Sequence, residues 1–213
     1  MIYPIVAFGD PVLKTPAKAI SADIEAQELK QLIADMFDTM YHARGVGLAA
    51  PQIGRGVRLF VIDSAPMLDD EDEDEDEQEA EEENVEAVQV SENAPQDQAV
   101  KRAFINPVMV SETGEEWGFE EGCLSIPGVR EMVFRPANIV LRYEDEARMV
   151  REEAFSGMTA RVIQHEYDHL EGILFTDHLS GFKKQLLKGK LTRISKGDVK
   201  ADYRLRFAGQ GRR

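Results

Sequence analysis

The sequence predicts an α+β fold, with short and mostly antiparallel strands packed around a central helix that carries His165-Glu166-Tyr167-Asp168-His169, and a further helix near the C-terminus. Three observations predict it. Strand-like runs follow one another without helices between them, separated by Gly, Pro and charged turns. Helical periodicity is confined to separate stretches, so the elements do not alternate as in an α/β fold. A chain of 213 residues is long enough for one well-buried core and short for two full domains.

Taken in order, Asp23 to Arg44 reads as an amphipathic helix. Leu29, Leu32, Ile33, Met36, Phe37 and Met40 recur at spacings of three and four, with Asp23 as its cap and Gly45 as its stop. The Gly-rich turn Gly45-Val46-Gly47 follows, then a strand-like run from Val57 to Ile62. Residues from about Met67 to Val100 are acidic, Gln-rich and poor in aromatics. Such a composition buries too little apolar surface to offset the entropy of ordering, so it reads as an inserted disordered loop. Strand-like runs resume at Ala103 to Val110, Val129 to Val133, Asn138 to Tyr143 and Met149 to Phe155. The motif helix spans about Ser156 to Leu170 and stops at Gly172. A third helical stretch covers Ser180 to about Ser195, and the residues beyond it to Arg213 are expected to fray.

Charge is segregated. From Asp69 to Glu83 only Gln78 and Ala80 are not acidic, and removing those 13 carboxylates from the formal −15 leaves −2. From Gly181 to Arg213, 11 Lys or Arg face only Asp198 and Asp202. No apolar run approaches the roughly 18 residues of a membrane-spanning helix, and the N-terminus lacks the order of a signal peptide. The expectation is a cytoplasmic protein without a membrane partner. With no heptad seam or apolar stripe, a monomer is expected. A single cysteine forms no internal disulfide, so Cys123 is an inert buried residue, a nucleophile or a metal ligand.

The strongest chemical signal is the helix motif. Two histidines four apart project from one face and reach one metal, while Glu166 points to the adjacent side and is free to take a proton from water. The plainer alternative is a charged helix face with two incidental histidines. Catalytic sites of this kind use three protein ligands. Cys123 lies in Glu120-Glu121-Gly122-Cys123-Leu124-Ser125-Ile126-Pro127, where Gly122 permits close approach and Pro127 ends ladder pairing. Thiolate with imidazole suits iron, zinc, nickel and cobalt, and spacing does not choose among them. His42 and His178 read as structural or surface histidines, His178 having no ligand-like partner at a suitable spacing.

Gly45-Val46-Gly47-Leu48-Ala49-Ala50-Pro51-Gln52-Ile53-Gly54, Glu121-Gly122-Cys123-Leu124-Ser125 and Gln164-His165-Glu166-Tyr167-Asp168-His169, in that order, resemble the three motifs of the peptide deformylases. The similarity covers most of residues 1 to 180, including Gly9-Asp10-Pro11-Val12-Leu13, and excludes the acidic insertion and the basic tail. The resemblance implies a catalytic domain over 1–180, carrying the insertion at about 67–100, followed by a basic helix and tail over 181–213. It implies one divalent metal, Fe2+ by family with Zn2+, Ni2+ or Co2+ as alternatives, held by Cys123, His165 and His169 with water as fourth ligand. Glu166 is then the general base and acid, and Gln52 with the backbone N–H of Leu124 stabilises the oxyanion. The implied substrate is the N-formylmethionyl end of a new polypeptide, released as formate and a free amine. Val46, Phe119, Met158 and Val162 occupy the family's pocket positions for the methionine, Gly47 lets the substrate backbone lie close, and Arg130 lies near the substrate. Glu121 and Arg135 match an ion pair behind the ligands. The basic C-terminus suggests attraction to ribosomal RNA. A zinc endopeptidase would take its third ligand downstream of the helix, against which Cys123 argues. An interaction protein with a closed structural metal site would supply four ligands, and only three are found.

Overall fold

A computed structural model describes residues 1–68 and 98–209. The chain opens with β1 (Ile5–Val6) and then α1 (Ala26–His42). Next come β2 (Gly47–Ala49), β3 (Leu59–Asp63), β4 (Lys101–Gly122), β5 (Arg130–Glu144) and β6 (Val150–Ser156). Two helices, α2 (Gly157–Leu170) and α3 (Gly181–Ser195), precede β7 (Leu205–Arg206). Strands β2 to β6 form one antiparallel sheet in sequence order, and β1 pairs with β7 in parallel. The α+β expectation therefore holds, with the motif helix α2 packed against β2, β3, β5 and β6.

Two strands are longer than the sequence indicates. The run expected at 103–110 extends to Gly122, and the two expected at 129–133 and 138–143 are one strand. Ser111 to Glu116 reads as a charged turn because its side chains mostly face solvent, yet its backbone continues the ladder with β5. The register shifts between Thr113 and Glu116, opposite Pro136, which has no N–H to give. This long ladder carries Gly122, and so Cys123, to the mouth of the sheet.

Helix α1 begins at Ala26, and its N-cap Glu25 makes no side-chain cap bond. Asp23 instead accepts from the Ser21 hydroxyl at 3.3 Å. Leu29, Ile33, Met36 and Met40 are buried, as the periodicity requires. The helix stop is taken by Arg44 (φ 56), with the Gly45 N–H donating to the Met40 carbonyl at 2.9 Å. Gly45 is needed for another reason, because a Cβ there would lie 2.7 Å from Leu124 Cδ1.

The ends of the expected insertion are seated. Met67 packs against the sheet core, the Val100 N–H donates to Ser64 Oγ at 2.9 Å, and the Thr159 hydroxyl donates to the Gln98 carbonyl at 2.8 Å. The acidic run Asp69 to Glu83 lies outside the described residues. The segment expected to fray after Ser195 is instead tied down through Arg206, with N–H groups of Ile5 and Ala7 donating to the carbonyls of Arg204 and Arg206, each at 2.8 Å. Among the described residues no helix is long and apolar enough to cross a membrane.

Candidate metal centre and active site

Helix α2 starts at Gly157, directly after β6 ends at Ser156. Its two histidines and Cys123 meet: Sγ and the two ring donors lie within 4.8 Å of one another, and Cys123 Sγ is 3.3 Å from His169 Nε2. Burial alone would push the Cys123 thiol up, but His169 and His165 bring it down to about 5, so the thiolate is the form held there. Thiolate with two imidazoles in one small volume is a donor set that fits a divalent transition metal with an open coordination position.

His165 presents Nε2 to the site because its Nδ1 is engaged by Glu121 Oε2 at 2.9 Å. Glu121 in turn accepts from Arg135 through Nε at 2.7 Å and Nη2 at 3.0 Å. Arg161 Nη1 reaches the same carboxylate at 3.1 Å. Arg135 Nη1 continues to Asp168 Oδ2 at 2.8 Å, and His178 Nε2 meets that oxygen at 2.7 Å. The ion pair expected from Glu121 and Arg135 is thus present, inside a larger buried network. His178, read from the sequence as a structural or surface histidine without a ligand-like partner, is here paired with Asp168. His42 is exposed in the last turn of α1.

Glu166 is 4 % exposed, and its Oε2 has no hydrogen-bond partner among the described residues. Burial pushes its carboxyl up to about 7 against the opposing pull of His165 and His169. A Cβ on Gly47 would lie 2.4 Å from Glu166 Oε1, so the space a side chain would take there is already filled by the Glu166 carboxylate. The Gly45-Val46-Gly47 segment therefore admits Leu124 on one side and Glu166 on the other. Gln52 accepts from the Ala49 N–H at 2.7 Å, which fixes its amide so that Nε2 points to Cys123 Sγ at 3.5 Å and Ser125 Oγ at 3.4 Å. The Leu124 N–H donates to no backbone carbonyl among the described residues.

Gln52, Cys123, Leu124, His165 and Glu166 line one open cleft of about 600 Å³, with His169 buried behind them. Val46, Gly47, Phe119, Arg130 and Val162, all expected near the substrate, line it, whereas Met158 is buried and does not. The sequence reading missed Arg161, Asp168 and the outer wall of the cleft, formed by Lys200 to Tyr203. Arg161 carried a signal: it precedes His165 by four residues and so shares its helix face. It is buried, donates to the Trp117 carbonyl at 2.6 Å and lies 4.3 Å from the Trp117 ring centre. Nothing in the local pattern marks Tyr203.

A family model described as polypeptide deformylase matches residues 2–185. Curated proteins named peptide deformylase from Christiangramia forsetii and Cytophaga hutchinsonii are each 53% identical to the chain, over 207 and 209 residues. The alignments cover 97% of this chain in both cases, and 96% and 98% of those proteins. Among solved structures, a peptide deformylase from Legionella pneumophila superposes with a TM-score of 0.70 at 36% identity, covering 93% of this chain and 98% of that one.

Proposed function

This chain belongs to the polypeptide deformylase family, and we propose that Cys123, His165 and His169 hold its divalent metal while Glu166 moves the protons of the reaction. The chain is a metal-dependent hydrolase that removes the N-formyl group from newly made polypeptides. The observation that carries the site assignment is the convergence of three donor atoms within 4.8 Å beside a buried carboxylate oxygen without a partner.

A divalent cation held there supplies Lewis acidity, which acidifies water and polarises a carbonyl. The protein's own groups do the rest. Glu166 Oε takes a proton from the attacking water as its oxygen bonds to the formyl carbon. Glu166 then returns that proton to the amide nitrogen as the C–N bond breaks, leaving formate and a free amine. Burial raises the Glu166 carboxyl above the ordinary carboxylate range, the direction needed by a group that takes and then returns a proton near neutral pH. Gln52 Nε2 and the Leu124 N–H donate to the carbonyl oxygen as it gains negative charge, and the Gln52 amide is held beforehand by the Ala49 N–H.

The metal in this reading is Fe2+, with Zn2+, Ni2+ and Co2+ as donor-compatible substitutes, and the thiolate makes the iron form oxygen-sensitive. The substrate's methionine side chain lies among Val46, Phe119 and Val162, with Gly47 and Arg130 beside its backbone. The protein works as a cytoplasmic monomer whose catalytic domain, centred on residues 1–180, takes the outer wall of its cleft from Lys200 to Tyr203. The surplus of cations over 181–213 supports contact with ribosomal RNA.

Formate release from a formyl-Met-Ala-Ser peptide tests the assignment, using protein prepared anaerobically with iron(II). Glu166→Ala is expected to keep its metal and lose roughly 10²–10⁴-fold in rate. No release from a folded, metal-loaded parent, or full activity in the variant, overturns it.

A further inference from the structure

The C-terminal strand segment is built against both oxyanion donors, although the sequence sets it apart as a tail. A Cβ on Gly54, two residues after Gln52, would lie 2.5 Å from the Arg206 guanidinium, so that turn is shaped to admit β7. Arg206 is also 3.5 Å from Asp10. On the other side, the Tyr203 hydroxyl donates to the Leu124 carbonyl at 2.8 Å, while its ring packs with Leu124 and Leu205 against the core of α1 and β3.

The tight turn after Cys123 has three successive carbonyls, and each is held by a different part of the chain. The Cys123 carbonyl accepts from the Ile126 N–H at 2.9 Å. The Ser125 carbonyl accepts from the Phe8 N–H, next to β1, at 2.8 Å. The middle one, at Leu124, is held by Tyr203. With all three pinned, the backbone angles of Leu124 are determined from both sides; Leu124 lines the cleft, and its N–H has no backbone acceptor of its own among the described residues. Releasing the middle carbonyl allows the two peptide planes flanking Leu124 to tilt, and a donor aimed at a developing charge loses effect steeply with misplacement.

We propose that Tyr203 is a positioning residue for deformylation: its hydroxyl locks the Leu124 carbonyl and so aims the Leu124 N–H at the oxyanion. The tail is thereby part of the active site. This rests on the reading of Gln52 and the Leu124 N–H as oxyanion donors.

The test compares full-length, metal-loaded parent, Tyr203→Phe and Tyr203→Leu in steady-state deformylation of formyl-Met-Ala-Ser, with metal content and unfolding midpoint measured on each. Tyr203→Phe keeps the ring and removes only the hydroxyl. It is expected to lower kcat about tenfold, less than loss of a donor outright. KM is expected to stay within about twofold, with metal content and midpoint as in the parent. Tyr203→Leu is expected to show the same kcat, because the hydroxyl and not the ring carries the effect. An unchanged kcat in Tyr203→Phe overturns the proposal, as does a fall matched by loss of metal or of thermal stability. Gln52→Ala, run alongside, separates the two readings. If it abolishes most activity while Tyr203→Phe is silent, only the role of Tyr203 fails. If Gln52→Ala is itself silent, the oxyanion reading fails first and the proposal with it.

Discussion

Arginine meets carboxylate in two very different settings. Behind the proposed metal ligands, Arg135 and Glu121 are 5 % and 4 % exposed and joined by two hydrogen bonds. On the β5–β6 ladder, Arg142 and Glu152 are each 53 % exposed and 3.9 Å apart. The chemistry is the same and the consequences are not. In the buried case water has been removed, so each charge depends on its neighbours for the solvation it lost. In the exposed case water solvates both partners whether or not they meet. The buried pair also has a job the exposed pair lacks, since Glu121 holds the Nδ1 side of His165.

Removing Glu121 is the strongest way to break the buried arrangement. Glu121→Ala leaves Arg135 and Arg161 side by side in the interior with Asp168 as the remaining anion in contact with Arg135. A loss of about 3–5 kcal/mol is expected in denaturant unfolding. Metal affinity should fall roughly 10–100-fold, because His165 loses the group that orients it. The network also has a pH signature. Burial tends to raise Glu121 and Asp168, but hydrogen bonds from His165 and Arg135 to the first, and from His178 and Arg135 to the second, hold both below the ordinary carboxylate range. Their stabilisation is therefore full above that range and is lost as the pH falls through the lowered values. Between about pH 5 and about pH 3 the parent's unfolding midpoint should drop more than that of Glu121→Ala. Parallel curves would show that the network contributes nothing through these ionisations.

A smaller and more local effect is expected from Gly47→Ala. Here the buried side of the comparison is probed by steric rather than electrostatic means. The added methyl would stand 2.4 Å from Glu166 Oε1 and 2.8 Å from its Cγ, so the carboxylate or the strand must shift. Glu166 is buried but borders the cleft, so relief comes from moving the carboxylate out of its place beside Gly47. A loss of about 1–3 kcal/mol in stability is expected, with kcat reduced more than tenfold. Normal kcat in this variant would show that Glu166 works from a position other than the one it holds beside Gly47.

The same contrast explains what was legible in the sequence. The ligand pair His165 and His169 was readable because a helix brings residues four apart to one face, a purely local rule. Helix α1 was readable for the same reason. Cys123 joined them only through its motif, because a loop at the end of a 22-residue strand carries no periodicity that points toward a helix beginning at Gly157. The role of Gly45 and Gly47 was hidden further. They look like a turn, whereas their need for glycine comes from Leu124 and Glu166, two groups that only the tertiary fold brings there. Asp168 lay within the quoted motif, yet its link between Arg135 and His178 depends on β5 crossing behind α2. Tyr203 sits in a segment whose charge suggested a free tail, and its contact with Leu124 exists because β7 pairs with β1, Ile5 opposite Leu205.

The exposed pair gives the weakest effect and the sharpest control. Arg142→Ala removes a cation that is half in solvent and whose nearest carboxylate contact, at 3.9 Å, is too long for a direct hydrogen bond. Strand β5 keeps its backbone ladder to β4 and β6 at this position, with Val108 and Glu152 opposite. Unfolding should change by within about 0.5 kcal/mol, and deformylation and metal content should not change. A loss approaching that of Glu121→Ala would mean that burial is not what separates the two pairs, and that the sheet's outer ladder is coupled to the metal centre through β5 itself.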